Sequence, residues 1–250
     1  MSYDMTILRE GAARYGITLT EKQEEQFIRY YELLIQWNKV MNLTGITEFD
    51  QVLLKHFTDS LSVAGSIDLT GVRTCVDVGT GAGFPGIPLK IAFPHLKVTL
   101  LDSLNKRLNF LNEVILQLDL QNIETIHLRA EEGGRKPQLR EKYDLSVSRA
   151  VSRLAVLSEY CMPYVKKGGY FVSYKGGQAE EEIDEGKKAI SILGGKLERT
   201  EKFCLPDTDM ERTLVIIKKV KETPKKYPRK PGTPAKEPLG ATVKGETKSN

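Results

Sequence analysis

Apolar residues recur with a helical period through residues 1–70 of this 250-residue chain. One stripe predicts an amphipathic helix whose apolar face packs into a core rather than stacking on a ligand. Its members are Phe27, Tyr30, Tyr31, Leu34, Trp37 and Met41. Thr20, followed three residues later by Gln23, predicts a capping box at the start of this helix, which is expected to end within residues 37–44. Residues 1–70 are therefore interpreted as a helical N-terminal extension.

From residue 71 to residue 220 the pattern changes to short apolar runs separated by helical spacing. The runs predict strands at 74–78, 97–102, 123–128, 143–148, 169–174, 196–203 and 213–218, and the segments between them predict helices at 87–93, 105–118, 154–165 and 179–193. Residues 132–137 are expected to form mainly a loop, with at most a short helix after it.

This alternation predicts the architecture of the domain. Because each crossover helix must bury its apolar face on the sheet, the strands should form a mostly parallel sheet with helices on both faces. The link 206–211 is too short for a crossover helix, so the last two strands are expected to pair antiparallel. The predicted fold class is α/β and Rossmann-like, with seven strands and an antiparallel last hairpin.

Positive charge is concentrated at the C-terminal end of the chain. The formal net charge is +4, but residues 218–250 contain ten Lys or Arg against three Asp or Glu. Residues 221–250 are therefore interpreted as a basic, Pro-rich tail that follows the domain at 71–220. Such a tail suits a polyanionic partner, since lysine and arginine displace counterions from phosphates. A solvated, disordered terminus is the alternative that composition leaves open.

The sequence disfavours a membrane protein and a protein built on disulfides or zinc. No apolar run reaches the roughly 18 to 20 residues that span a bilayer, and the first residues lack a signal-peptide pattern. We therefore expect a cytoplasmic protein with no membrane partner. Cys75, Cys161 and Cys204 are widely spaced among apolar residues, which predicts three small buried side chains and no metal site.

A glycine-rich turn follows the first predicted strand. Gly79, Gly81 and Gly83 allow the backbone to turn sharply and to approach a ligand closely. Asp102 ends the second predicted strand, where a carboxylate can accept hydrogen bonds from both hydroxyls of a ribose. The sequence therefore predicts a nucleoside-containing cofactor at this turn.

Two cofactors fit such a turn. Gly81, Gly83 and Gly86 match the glycine spacing of enzymes that use nicotinamide dinucleotides. Three features favour S-adenosylmethionine instead. They are Asp77 before the first glycine, Phe84-Pro85 in the position where a pyrophosphate needs free amides, and the antiparallel last hairpin.

Several further motifs occur together with this turn. They are residues 77–89, Asp102-Ser103 with Lys106-Arg107 and Phe110-Leu111, Trp37-Asn38-Lys39 with Asn42-Leu43-Thr44, His56 with Asp59-Ser60-Leu61, residues 129–131, residues 148–151, Lys175-Gly176, and residues 227–230 with Gly232 and Pro234. The set spans nearly the whole chain and resembles the RsmG (GidB) family of bacterial methyltransferases. The resemblance implies a class I methyltransferase fold, S-adenosylmethionine as cofactor, and methylation of N7 of one guanine in 16S ribosomal RNA, as free RNA or in the small ribosomal subunit.

The chemistry of N7 agrees with the motifs that the chain lacks. N7 of guanine is an unprotonated ring nitrogen whose lone pair can attack a methyl sulfonium, so no catalytic base is required. The chain contains neither the Asn/Asp-Pro-Pro-Tyr motif of exocyclic amine methylation nor the Pro-Cys pair of pyrimidine C5 methylation, and its Thr-Cys pair, Thr74-Cys75, lies at the start of the first predicted strand, before the glycine turn. We therefore expect no catalytic base, and rate enhancement from positioning and electrostatics.

Position and resemblance together assign roles to individual residues. The expected cofactor-binding residues are Gly79, Gly81, Gly83, Phe84, Asp102, Ala130, Glu131 and Arg149. Ala130 and Glu131 should flank the adenine. Arg149 should face either the cofactor carboxylate or the target nucleotide, with a surface salt bridge as the alternative. The expected phosphate contacts are Lys106, Arg107, Arg153, Lys175, Arg229 and Lys230.

Other interpretations stay open at this point. A ribosome-binding assembly factor with a vestigial cofactor site would keep the RNA-binding features without cofactor affinity. A small-molecule methyltransferase would keep its activity after deletion of the basic tail. His56 and Asp59 could be catalytic, although two such residues three apart more often cap or brace a helix. The protein is expected to act as a monomer.

Overall fold

The computed structural model describes residues 3–149 and 152–240. In these ranges seven strands form one sheet with the order β3-β2-β1-β4-β5-β7-β6. The strands are β1 (Thr74–Val78), β2 (Lys97–Asp102), β3 (Ile123–His127), β4 (Tyr143–Arg149), β5 (Val165–Gly176), β6 (Gly195–Cys204) and β7 (Glu211–Lys219). Strands β1 to β5 pair in parallel, and β7 is antiparallel to both β5 and β6. The predicted sheet and its antiparallel last hairpin are confirmed.

Helices precede the sheet and alternate with its strands. They are α1 (Thr6–Arg14), α2 (Glu21–Met41), α3 (Phe49–Val52), a π-helix (Leu53–Thr58), α4 (Asp59–Leu61), α5 (Gly86–Ala92), α6 (Asn105–Gln117), α7 (Ala130–Gly133), α8 (Leu154–Cys161), α9 (Glu180–Ile192) and α10 (Thr233–Lys236), with short 3-10 turns at Ser62–Gly65, Leu69–Gly71 and Met162–Tyr164. Ala150 and Val151, which belong to one of the motifs above, and residues 241–250 of the tail lie outside the described residues.

Two boundaries differ from the prediction. Helix α8 ends at Cys161 and passes through a 3-10 turn into β5, so β5 starts at Val165 rather than at residue 169. Pro163 lies in that turn, and a proline cannot donate the backbone hydrogen bond that would continue the α-helix. The second difference is α7, which comes before the predicted loop at 132–137 and overlaps its first residues.

The N-terminal helices share the core of the sheet. Helix α2 begins with the predicted capping box, in which the Gln23 amide donates to the Thr20 hydroxyl over 3.3 Å and the Thr20 amide donates to the Gln23 side chain over 2.8 Å. Phe27, Tyr30 and Leu34 are fully buried on its apolar face. The interpretation of this stripe as core packing is confirmed, whereas the division into 1–70, 71–220 and 221–250 stays a prediction.

One expectation about the cysteines was wrong. Cys75 and Cys161 are buried as expected, but Cys204 is exposed. Cys204 is the last residue of β6, the outermost strand of the sheet, which has a neighbour on one side only. For the tail, a solvated, disordered terminus was the alternative left open, and it does not fit residues 221–240, where Tyr227 is buried and α10 forms.

Candidate functional site

A cavity of about 690 Å³ opens at the carboxyl edge of the parallel strands. The ends of four adjacent strands, β3, β2, β1 and β4, contribute residues to its wall, as expected for ligand sites in α/β sheets. The cavity brings together seven of the eight predicted cofactor residues, namely Gly79, Gly81, Phe84, Asp102, Ala130, Glu131 and Arg149. Gly83 is not among its lining residues.

The buried Asp77 carboxylate holds the glycine turn in place through hydrogen bonds. One oxygen of its carboxylate, Oδ2, accepts hydrogen bonds from the Thr80 hydroxyl over 2.7 Å and from the Gly86 amide over 2.9 Å, so a single side chain closes both ends of the turn. The other oxygen, Oδ1, has no hydrogen-bond partner among the described residues. Burial raises the pKa of this carboxyl to about 6, although the hydrogen bonds from Thr80 and Gly86 act in the opposite direction.

Gly81 forms the floor of the cavity. Its backbone has φ +61°, and no described atom lies within 4 Å of the position that a Cβ would occupy. A side chain here would therefore enter the cavity, and it would also strain the backbone. The Gly81 amide donates to Asp102 over 3.0 Å, which connects the floor to the end of β2.

Gly83 faces the opposite side of the turn. A Cβ at this position would lie 2.6 Å from the Tyr30 hydroxyl oxygen and 2.8 Å from a methyl carbon of Ile87. The Tyr30 hydroxyl donates to the carbonyl oxygen of Ala82. The glycine is thus required because α2 packs directly beneath the turn, and the N-terminal extension supports the site.

Arg149, at the end of β4, is held by the N-terminal extension. Its guanidinium Nη1 lies 3.1 Å from Asp59 Oδ2 and 3.2 Å from the carbonyl oxygen of Lys55. Asp59 is buried and also binds Arg212 over 3.3 Å. The guanidinium carbon of Arg149 lies 5.0 Å from the centroid of the Phe84 ring. Arg149 therefore forms a buried ion pair at the edge of the cavity rather than a surface salt bridge.

His56 stacks on Phe84 next to Arg149. The two rings stack with centroids 4.5 Å apart and an interplanar angle of 18°. His56 Nε2 is 2.8 Å from the Thr44 hydroxyl, and Nδ1 is 3.4 Å from Arg149 Nη2. Because a guanidinium can only donate, Nδ1 is the acceptor and the proton resides on Nε2. Burial and the charge of Arg149 lower the pKa of His56 to about 3, so the ring is neutral at pH 7.

His56 is placed by local geometry that the sequence encodes. It lies in the π-helix, a wide-turn element that occurs frequently at functional sites. Asn42 ends α2 in the left-handed conformation with φ 48°, and the Thr44 amide donates to the Asn38 side chain over 2.9 Å. The motif of Asn38, Asn42 and Thr44 thus turns the chain so that the Thr44 hydroxyl meets His56.

The far end of the cavity lies beyond β3. Ala130 and Glu131 line it together with Tyr160 from α8 and with Gly232 and Ala235 from the tail. The Gly232 amide donates to the Glu131 carboxylate over 2.9 Å. The C-terminal tail therefore reaches the same cavity as the glycine turn.

The predicted phosphate contacts have different environments. Lys106 and Lys230 are exposed and form no ion pair with any described residue. Arg107 lines the cavity and pairs with Asp102 over 3.2 Å. The other three pair with glutamates: Arg153 with Glu185, Lys175 with Glu182, and Arg229 with Glu159.

Some lining residues were not predicted from the sequence. Thr44, His56, Tyr160, Gly232 and Ala235 all line the cavity. His56 was considered as a possible catalytic residue but was not among the predicted site residues. His56, Thr44 and Gly232 lie in motifs of the family resemblance, which was the available signal. Nothing local to Tyr160 or Ala235 marks them, because long-range packing brings α8 and the tail to the cavity.

In residues 3–149 and 152–240, no group of three or more His, Cys, Asp or Glu side chains could hold a metal ion. No helix in the same ranges is long and apolar enough to cross a bilayer.

The chain is similar to a family of ribosomal RNA enzymes along most of its length. The family model described as rRNA small subunit methyltransferase G matches residues 23–214. The ribosomal RNA small subunit methyltransferase G of Lachnoclostridium phytofermentans is 59% identical over 236 residues, which cover 94% of this chain and 98% of that protein. The protein of the same name from Bacillus subtilis is 53% identical over 229 residues, covering 92% and 96%.

Solved structures of lower identity share the fold. The mitomycin 7-O-methyltransferase MmcR matches with a TM-score of 0.55 and 16% identity, covering 76% of this chain and 60% of that one. TrmN from Thermus thermophilus matches with a TM-score of 0.50 and 15% identity, covering 67% and 53%. The fold is therefore the Rossmann-like fold of class I methyltransferases.

Proposed function

The chain belongs to the rRNA small subunit methyltransferase G family, and from this membership we propose that it transfers a methyl group from S-adenosylmethionine to N7 of one guanine in 16S ribosomal RNA. It is a methyltransferase with a class I fold. The observation that carries the proposal is the cavity, which joins the glycine turn, Asp102 and Glu131 to Arg149 at one edge of the sheet.

The residues of the cavity fit the proposed cofactor. Gly81 leaves open space where a side chain would stand, and Asp102 has acceptor capacity to spare. Asp102 accepts from the amides of Gly81 and Leu104 over 3.0 and 2.9 Å and from Arg107 over 3.2 Å. Because a carboxylate offers about four lone-pair positions, one remains for a ribose hydroxyl, and a second becomes free when Arg107 turns away. Ala130 and Glu131 would flank the adenine.

Methylation of N7 does not require the protein to supply a catalytic base. Bound S-adenosylmethionine supplies an electrophilic methyl group on a sulfonium, and N7 of guanine already carries the lone pair that receives it. No side chain has to remove a proton, and His56, whose pKa is about 3, would be a weak base. What the chain supplies is a fixed arrangement of Phe84, His56 and Arg149 against which the guanine can be oriented.

The acceptor nucleotide would enter at the Arg149 end of the cavity. Arg149 is held by Asp59 and by backbone carbonyl oxygens, so its remaining donors are aimed in a fixed direction. Lys106 and Lys230 are exposed and suited to phosphates, and Arg107, Arg153 and Lys175 would first exchange their glutamate or aspartate partners. We propose that the protein acts as a monomer, and a ribosomal RNA substrate favours the cytoplasm.

The nicotinamide alternative does not fit the family or the sheet. Enzymes of that class have a parallel sheet with the strand order 3-2-1-4-5-6, whereas β7 here lies antiparallel between β5 and β6.

The proposal is tested with small ribosomal subunits from a strain that lacks this protein. We expect labelled S-adenosylmethionine to transfer its methyl group to a single guanine, which cleavage at 7-methylguanine would locate, and we expect Gly81→Val and Arg149→Gln to abolish the label. Free 16S RNA is tested in parallel to identify the preferred form of the substrate. Cofactor binding without label on subunits or free RNA would refute the acceptor, and absence of cofactor binding would leave a ribosome-binding assembly factor.

A further inference from the structure

The C-terminal tail is anchored by a buried ion pair. Glu159, in α8, has a fully buried side chain, and its carboxylate accepts from the Arg229 guanidinium over 2.7 Å and from the Arg229 amide over 2.7 Å. A carboxylate in such an environment requires a charged, hydrogen-bonded partner, because its burial is otherwise strongly unfavourable. Arg229 is therefore committed to Glu159 and to the position of the tail.

Two further cations hold the start of the tail. The Arg140 guanidinium donates to the carbonyl oxygens of Thr223 and Tyr227 over 2.6 and 2.8 Å. The Lys219 ammonium, which is almost fully buried, donates to the Thr223 hydroxyl over 2.5 Å. Burial lowers the pKa of Lys219 to about 8, while nearby Glu141 acts in the opposite direction. The tail is thus fixed at its start and again at Arg229.

The fixed tail ends at the cavity. Only two residues lie between Arg229 and Gly232, whose amide donates to the Glu131 carboxylate over 2.9 Å. Gly232 and Ala235 line the cavity, and Ala235 lies in α10, which packs against α8. Glu159 and Tyr160 are adjacent in α8, so the element that anchors Arg229 also contributes to the cavity wall.

We propose that residues 224–240 form the wall of the cofactor site beside the adenine, and that Arg229 is a positioning residue for this wall rather than a phosphate contact for RNA. The inference rests on the proposed function for the identity of the cofactor. The Glu159–Arg229 pair sets the distance between the tail and Glu131, and a loosened tail exposes the adenine end to water. Arg229 then influences cofactor affinity without touching the cofactor.

The first test compares Arg229→Gln in the full chain with Lys221→Gln, at an exposed residue that precedes this wall and does not line the cavity. Calorimetry with S-adenosylmethionine and S-adenosylhomocysteine is expected to give about tenfold weaker binding for Arg229→Gln, equivalent to about 1.4 kcal/mol, and unchanged binding for Lys221→Gln. Steady-state methylation should show a raised KM for S-adenosylmethionine with kcat unchanged at saturation. The salt dependence of RNA binding should be unchanged for Arg229→Gln, since its charge is already neutralised by Glu159.

A second variant keeps the test valid if Arg229→Gln does not fold. Ala235 is exposed and lines the cavity, so Ala235→Met adds bulk to the proposed wall without removing an anchor. We expect it to weaken cofactor binding at least tenfold. Its matched control is Lys236→Met in the same short helix, which introduces the same side chain at a position outside the cavity lining and should leave affinity unchanged.

The outcomes separate this inference from the proposed function. Wild-type protein that fails to bind S-adenosylmethionine would refute the cofactor assignment itself. Normal cofactor affinity in Ala235→Met would overturn the proposal that residues 224–240 form a wall of the cofactor site. A weaker salt dependence of RNA binding in Arg229→Gln, with cofactor affinity retained, would overturn the positioning role and make Arg229 an RNA contact.

Discussion

Two segments from outside the sheet close the cavity at opposite ends, and they are held in different ways. At the β4 end, the N-terminal extension contributes His56, which stacks on Phe84 of the glycine turn with Arg149 beside it. At the β3 end, the C-terminal tail is fixed by the buried Glu159–Arg229 pair. The first wall adjoins the main core around Tyr30 and Phe84, whereas the second combines the packing of Tyr227 in a separate hydrophobic cluster with ionic and hydrogen-bonded contacts. From this difference we infer that the first wall positions the acceptor guanine and that the second encloses the cofactor.

The largest expected effect comes from the floor that both walls share. Gly81→Val would introduce a side chain into the cavity at a residue with φ +61°. Overlap of this side chain with the cofactor should cost about 3 kcal/mol of binding free energy, which corresponds to about 100-fold weaker cofactor binding. Calorimetry with S-adenosylhomocysteine measures this change.

Gly16→Val is the matched control for that experiment. Gly16 has a similar backbone, with φ +73° and no described atom within 4 Å of its Cβ position, but it does not line the cavity. Equal losses of cofactor affinity in both variants would mean that backbone strain, and not occupation of the cavity, causes the effect.

The next effect tests the acceptor wall. Arg149→Gln should lower kcat by about 100-fold, as loss of a positioned donor typically does, while the cofactor Kd changes much less. The exposed pair of Arg14 with Asp207 offers a control, because Arg14→Gln removes the same charge far from the cavity. A large rise in cofactor Kd with kcat preserved would instead assign Arg149 to the carboxylate of the cofactor.

A smaller effect concerns pH and the neutral state of His56. Its pKa is about 3 in the folded protein, and the ordinary value is 6.5. Between these values the unfolded chain binds more protons than the native one, so this group makes stability fall as pH decreases below 6.5 and contributes no pH dependence above it. From pH 6.5 to pH 5 the loss is about 2 kcal/mol.

His56→Gln should remove this part of the pH dependence. Urea unfolding of wild type and variant at pH 5 and pH 7 measures how much the free energy of unfolding of each protein changes between the two pH values. His127→Gln serves as control, because the His127 side chain is exposed. If the free energy of unfolding changes equally with pH in wild type and in His56→Gln, the conclusion that the His56 ring is buried and neutral is contradicted.

The smallest effect concerns exposed cations near the two walls. Lys106→Gln and Lys230→Gln should each lower the slope of log affinity for RNA against log salt by about 1, with only modest loss of affinity. Lys167→Gln is the control, since Lys167 is exposed near the start of β5, at the amino edge of the sheet opposite the cavity. A similar change in the control would indicate nonspecific attraction to the whole surface.

The part of the site that could be predicted lies close to regular patterns in the sequence. The apolar runs located β1 and β2 with their observed bounds, and the glycines and Asp102 follow directly at the strand ends. Gly83 illustrates the limit of such reasoning. Gly83 was predicted to bind the cofactor, but it does not line the cavity, and the atom nearest to a Cβ at this position belongs to Tyr30 in α2, 53 residues earlier in the chain.

Sequence patterns were sufficient to predict the alternation of elements, the glycine turn and the family, because helical and strand periods, turn residues and motifs are local properties of the chain. Which charges are available for ligands and which are already paired depends on how the elements pack in three dimensions. Arg149 meets Asp59 across 90 residues, and Gly232 meets Glu131 across 101 residues. Such contacts arise from the packing of whole elements, so no local pattern distinguishes a buried, paired arginine from one that is free to bind RNA.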